Sequence, residues 1–97
     1  MSGKINAIVE FELSQNALES LVLLYQPVFS FNALSLYLTL YEIGRTKKVI
    51  SEKELVHLLK TSTDDIVIQR QELEQMNLVK TYRNQGFTIV LNQPLKA

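Results

Sequence analysis

Residues 31–43 read FNALSLYLTLYEI. Leu34, Tyr37, Leu38 and Tyr41 recur at i, i+3, i+4 and i+7, the spacing of one helical stripe, and Leu36, Leu40 and Ile43 form a second stripe on another side. A helix that is apolar around most of its circumference must be covered from several directions, so this one belongs at the centre of the fold. Upstream, Pro27 bars continuation and Ser30 offers its hydroxyl to the first turn. Downstream, Gly44 is the residue type that accepts a left-handed C′ conformation, which places the expected helix end there. The tyrosines read as core side chains rather than as a cofactor box. The segment is too short for a bilayer, which takes about 20 apolar residues.

Working toward the amino terminus, Gln26-Pro27 closes an expected short helix, Ala17 to Tyr25, with Leu18, Leu21, Val22 and Tyr25 on its inner side. Before it, Ile5, Ala7, Val9, Phe11 and Leu13 alternate with Asn6, Ile8, Glu10 and Glu12, the pattern of a strand with one apolar face.

Toward the carboxyl terminus the order repeats a simple grammar. Arg45 to Lys48 is a basic connection, and Val49-Ile50 forms a very short strand. Ser51-Glu52-Lys53-Glu54 is a capping box opening a helix, Glu52 to Lys60, with Leu55, Leu58 and Leu59 inward. Ser62 caps the next helix, Asp64 to Met76, with Ile66, Leu73 and Met76 as its core contacts. Asn77 stands where a left-handed C′ residue is needed. Strands Leu78 to Arg83 and Phe87 to Leu91 flank Asn84-Gln85-Gly86, a hairpin loop with Gly86 available for positive φ. Pro94 ends the structured part. From Phe31 onward the order is helix, short strand, helix, turn, helix, hairpin, that of an α+β winged helix-turn-helix with the hairpin as wing. The strand and short helix of residues 1–26 read as an amino-terminal extension of a core spanning 27–97, all within one domain.

Composition narrows the function. The 97 residues suit one domain, and 46% apolar content is that of a folded chain. Ten Lys and Arg balance ten Asp and Glu, so the basic excess of a dedicated non-specific nucleic-acid binder is missing. With no cysteine there is no disulfide and no thiolate metal site. The amino terminus carries charges where a signal peptide needs an apolar stretch.

Catalytic patterns are absent. His57 is the single histidine and has no carboxylate partner by spacing; Asp64 and Asp65 are adjacent, so they do not face each other on a helix and instead complement its N-terminus. Glu10 and Glu12 suit a solvated strand face. There is no Gly-rich phosphate loop and no metal-ligand cluster, and no cofactor is expected.

Two binding classes remain. Between Asp64 and Met76, four carboxylates face one guanidinium, Arg70, a net charge of −3 that suits a phosphate-lined groove poorly, although Gln69 and Gln71 could read bases. Positive charge gathers instead at Arg45, Lys47 and Lys48 and on the hairpin at Lys80 and Arg83, which either touch a phosphate backbone weakly or form a solvated rim. The apolar face of residues 5–13 either pairs with a second copy of the chain, with Tyr82 and Phe87 of the hairpin as further candidates, or packs on the chain's own hairpin. A sequence-specific DNA-binding regulator is the alternative reading of the same fold.

LYQPVFSFNALSLYLTLYEI (24–43) and DDIVIQRQELEQMNLVKTY (64–82) resemble the amino-terminal winged-helix domain of the DnaB/DnaD primosomal proteins of low-GC Gram-positive bacteria, and DnaB more closely. Leu24-Tyr25-Gln26-Pro27 followed by Ala33-Leu34-Ser35-Leu36-Tyr37 is the more specific part of the match, whereas Leu73-Glu74 with Leu78 to Tyr82 is common to many winged helices. The chain departs from the family in lacking a glycine after Phe29 and in carrying Asn77 in place of the usual glycine. The resemblance implies a domain at the start of a longer cytoplasmic protein that attaches to the membrane, if at all, through partners. It also implies a role in replication initiation and helicase loading, with self-association as this domain's main activity and other replication-initiation proteins as partners.

Overall fold

The computed structural model describes residues 3–28, 30–46, 49–83 and 86–94. In chain order the elements are β1 (Lys4–Ile8), α1 (Gln15–Ser20), which continues as a wider π-helical turn (Leu21–Tyr25) and a 3-10 turn (Gln26–Val28), α2 (Phe31–Thr46), β2 (Val49–Ser51), α3 (Glu52–Leu59), α4 (Thr63–Gln75), β3 (Val79–Arg83) and β4 (Phe87–Leu91). The α+β winged helix expected from the sequence is the fold observed.

The sheet order is β2-β1-β4-β3. β1 runs antiparallel to β2, with Ile5 opposite Ile50, and parallel to β4, with Ala7 opposite Ile89. The amino-terminal strand is therefore no appendage: it is the link between β2 and the wing. The preceding residue also serves α3, whose first amide, on Glu52, donates to the Gly3 carbonyl at 3.0 Å. The expected strand over residues 5–13 stops at Ile8. Beyond it the chain leaves the sheet and lies over α2, where the Leu13 N–H donates to the Tyr41 hydroxyl at 2.8 Å and the Phe11 ring sits 5.8 Å from that of Tyr41. Period-two alternation continued through residue 13 because both segments turn the same side chains inward.

α2 is buried on most of its circumference, with Ala33, Leu34, Leu36, Tyr37, Leu40, Tyr41, Ile43 and Gly44 all in the interior. Its start matches expectation: the Ser30 hydroxyl accepts from the Ala33 N–H at 3.1 Å. The Ser30 N–H in turn donates to the Glu72 carboxylate of α4, which ties the helix start to the third helix. Its end does not match, for the helix runs through Gly44 to Thr46. A Cβ on Gly44 would lie 2.5 Å from Val9 Cγ2 and 3.3 Å from the Ala7 carbonyl oxygen. The glycine is present for close approach of helix and strand, not for a left-handed turn.

Gly86 is a parallel case. No described glycine has positive φ; a side chain at Gly86 would collide with the Lys4 carbonyl of β1.

The remaining helices follow local rules with a few shifts of face. The capping box is complete, Glu54 N–H to Ser51 Oγ at 3.0 Å and Ser51 N–H to Glu54 Oε1 at 3.1 Å. α3 buries Leu55 and half-buries Val56 and Leu59, while Leu58, expected inward, is exposed. α4 closes in a Schellman motif: Leu78 N–H donates to Leu73 O at 2.9 Å and Asn77 N–H to Glu74 O at 3.1 Å, with Asn77 left-handed at φ 64°. Its buried stripe is Ile66, Gln69 and Leu73. In the first helix the buried residues are Ala17, Ser20, Leu21 and Tyr25, so Leu18 and Val22 face outward, against expectation.

Tyr37 is fully buried and donates its hydroxyl to the Asn92 carbonyl at 2.7 Å. Burial, reinforced by Tyr25 and Tyr41, pushes its phenol well above the usual range, so it remains a neutral donor. Tyr37→Ala is expected to cost about 3–5 kcal/mol in urea denaturation, the range for large buried aromatics, whereas Tyr37→Phe should cost about 1 kcal/mol for the lost hydrogen bond. Gly44→Ala should destabilise by about 1–3 kcal/mol despite alanine's better helix propensity. Combining it with Val9→Ala should recover part of that loss; a stabilised Gly44→Ala would contradict the close contact.

Candidate interaction surfaces

α4 occupies the recognition-helix position, yet it presents little that a DNA groove would accept. Its one cation, Arg70, is half-buried and engaged by the chain's own groups: Nη1 lies 2.8 Å from Glu74 Oε2 and 3.3 Å from Thr81 Oγ1, and the guanidinium sits over the Phe87 ring at 5.7 Å. Asp65 accepts from Thr61 Oγ1 at 3.0 Å and, with Asp64, places negative charge in the first turn. Gln69, one of two candidate base readers, is buried and has no access to a base; Gln71 remains exposed. Ile68 stands exposed on this helix, an apolar side chain where a base-reading surface needs hydrogen-bonding groups.

Among the described residues, the expected basic positions Arg45, Lys80 and Arg83 stand apart. Arg45 closes α2, 3.5 Å from Glu42 Oε1 and 5.7 Å from the Tyr41 ring centre, on the way into β2 at one sheet edge. Lys80 and Arg83 lie on β3 at the other edge. Three strand spacings, about 14 Å, separate these edges. Lys47 and Lys48 fall outside the described residues. Lys80 is exposed, and Arg83 covers Phe87 at 5.3 Å from the opposite side of the register pair they form.

The five alternating side chains proposed for self-association face the chain's own interior. Ile5 and Ala7 are core residues, and Val9, Phe11 and Leu13 pack against that core. β1 has paired neighbours on both sides, so the open edge expected for it does not exist. On the hairpin, Phe87 is half-buried under two guanidinium groups, whereas Tyr82 is exposed.

His57 is exposed on α3 beside a shallow depression of about 430 Å³ lined by Ile50, Lys53, Glu54 and Leu58. Among the described residues, no group of three or more His, Cys, Asp or Glu side chains could hold a metal ion. A larger groove, about 540 Å³, lies where Phe31, Leu38, Leu58, Leu59, Asp65 and Gln69 converge from α2, α3 and α4.

The surface missed by sequence reasoning is apolar. Val22, Leu23, Leu24, Val28 and Phe31 are all exposed around the π-helical and 3-10 turns. The signal was present in the run LVLL at 21–24, because an amphipathic helix cannot bury four consecutive positions on one side.

The winged-helix arrangement of α2, α3, α4 and the hairpin, with a strand inserted beside β2, has a counterpart among solved structures. The crystal structure of primosome protein DnaB (residues 1–300) from Geobacillus stearothermophilus superimposes with a TM-score of 0.86 at 27% identity, covering 96% of this chain and 39% of that one. The chain thus spans well under half the length of that relative. No curated protein matches it. The family model described as the DnaB N-terminal winged helix domain matches residues 4–97. The chain belongs to the DnaB N-terminal winged helix domain family.

Proposed function

We propose that this domain is a non-enzymatic assembly module of a bacterial DNA replication-initiation protein acting in the helicase-loading primosome. Its first partner is a second copy of the chain, and its others are further replication-initiation proteins. The observation that carries this reading is the state of α4: the helix placed to enter a DNA groove has a net charge of −3, holds its one cation in an intramolecular ion pair and exposes Ile68. Such a surface suits protein contact better than phosphate contact. Family membership and the likeness to a primosome protein support the replication context.

Contact with DNA on this reading is weak and made by Lys80, Arg83, Arg45 and the Lys47-Lys48 connection. Because Arg45 lies toward the opposite sheet edge from Lys80 and Arg83, binding should be non-specific, should fall steeply between about 50 and 200 mM salt, and should be reduced by charge removal at Lys80 and Arg83 equally for all sequences. A fluorescence titration against duplexes of unrelated sequence checks this. Sequence-selective binding below micromolar near physiological salt would establish the regulator reading instead. Sedimentation across a concentration series should show masses above the monomer by the high micromolar range.

A further inference from the structure

We propose that the open edge of β3 takes up an extended, acidic segment of a partner protein as an added antiparallel strand. This rests on the reading of the domain as a protein-binding module and says what kind of segment it binds.

The sheet order gives β3 one neighbour, β4, among the described residues. Facing residues of an antiparallel ladder alternate between hydrogen-bonded and non-hydrogen-bonded pairs. The Asn92 N–H donates to the Leu78 carbonyl at 2.8 Å, one register step before Val79 and Leu91. Lys80 with Val90 and Tyr82 with Thr88 are therefore the bonded pairs that follow. Val79, Thr81 and Arg83 turn their N–H and C=O groups the other way, toward the edge. Val79 is buried, which leaves Thr81 and Arg83 as the accessible positions. Alternating donors and acceptors of this kind are matched by another strand.

Charge identifies the occupant. From Gln75 to the last residue the sequence has no Asp or Glu, yet it holds Lys80, Arg83 and Lys96, in a chain of zero net charge. Lys80 and Arg83 are exposed on the edge strand itself. Arg70 of α4 also meets Thr81, but Glu74 at 2.8 Å balances its charge. Cations on an edge keep two copies from pairing there, and the same cations attract a strand of opposite charge.

Their spacing favours a peptide over a nucleic acid. Lys80 and Arg83 are three residues apart on a strand and so stand on opposite faces of the sheet. Lys80 shares its face with the exposed Tyr82, and Arg83 lies over the Phe87 ring on the other. A phosphate backbone following one face meets only one of them. A paired strand sends its side chains alternately to both faces, so two carboxylates three residues apart meet both cations. A β-branched residue between them falls beside the Tyr82 ring.

The test is an anisotropy titration of the chain into a fluorescein-labelled peptide, Thr-Glu-Val-Thr-Glu-Val-Thr, whose glutamates face Lys80 and Arg83 in antiparallel register. Saturable binding is expected on the order of 100 μM. It should weaken about tenfold or more when lysine replaces both glutamates, and equally when the central threonine amide is N-methylated, which keeps the charge and removes a ladder hydrogen bond. The double variant Lys80→Glu with Arg83→Glu should lose the acidic peptide to the same extent, whereas Lys53→Glu on α3 should bind it like the parent. Equal binding of methylated and unmethylated peptides would mean attraction by charge alone and overturn the added strand. A single-stranded oligothymidylate that binds more tightly and displaces the peptide would assign the edge to nucleic acid and overturn it as well. Absence of peptide binding up to about 1 mM would do the same, while masses above the monomer in sedimentation would leave the assembly reading standing. Should circular dichroism show the double variant unfolded, the methylated peptide decides, since it leaves the protein unchanged.

Discussion

The fold depends on how closely β1 is allowed to approach its neighbours. Two glycines permit it. Gly44 lets α2 lie directly on Ala7 and Val9, and Gly86 lets the wing meet the backbone of Lys4. β1 then supplies the hydrogen bonds that join β2 to β4, and the residue before it satisfies the first amide of α3. Without this strand the short β2 would have no neighbour, and the hairpin would be a two-stranded ribbon, a unit that is marginal alone in water. The helices are locked to the same frame from the other side, because Glu72 of α4 reaches the first turn of α2 and Tyr37 of α2 reaches the Asn92 carbonyl after β4.

This explains which parts were legible in the sequence. Caps and left-handed positions depend on residues a few places apart, so Ser30, Ser51 with Glu54, Ser62 and Asn77 were read correctly. Two glycines were read for their dihedral freedom when their function is the missing side chain, a long-range property that depends on what packs against them. Likewise, alternation at residues 5–13 reports a buried face without reporting what buries it. Tertiary partners, absent from local pattern, decided that Val9, Phe11 and Leu13 cover α2 and that β1 is interior to the sheet. The face of the first helix was misread for a related reason. Periodicity arguments assume uniform winding, and the π turn shifts the register of Val22 and Tyr25; Leu18 lies ahead of that turn, where the smaller Ala17 and Ser20 take the inner face instead.

The same physics separates fold from function here. A winged helix owes its shape to packing of three helices on a hairpin, and nothing in that packing requires a basic recognition helix. In this chain Arg70, paired with Glu74 one turn along the same helix, also reaches Thr81 of β3 and the Phe87 ring of β4 and so links α4 to the wing. The guanidinium that could have met a phosphate is instead held between helix and hairpin. Phe87 is flanked in turn by Arg70 and by the exposed Arg83, at 5.7 and 5.3 Å from its ring centre.

At the π turn, what the molecule leaves to its surroundings is apolar rather than charged. A chain of this size buries a modest core, and its interior is already supplied by α2, the inner face of the sheet and the stripe of α4. Val22, Leu23, Leu24, Val28 and Phe31 add apolar side chains outside that core, the first three on a π turn that buries Leu21 and Tyr25. An isolated monomer gains nothing from such exposure, since each side chain held in water forgoes about 25 cal/mol for every Å² it could have buried. The same arrangement is economical if a second surface covers it.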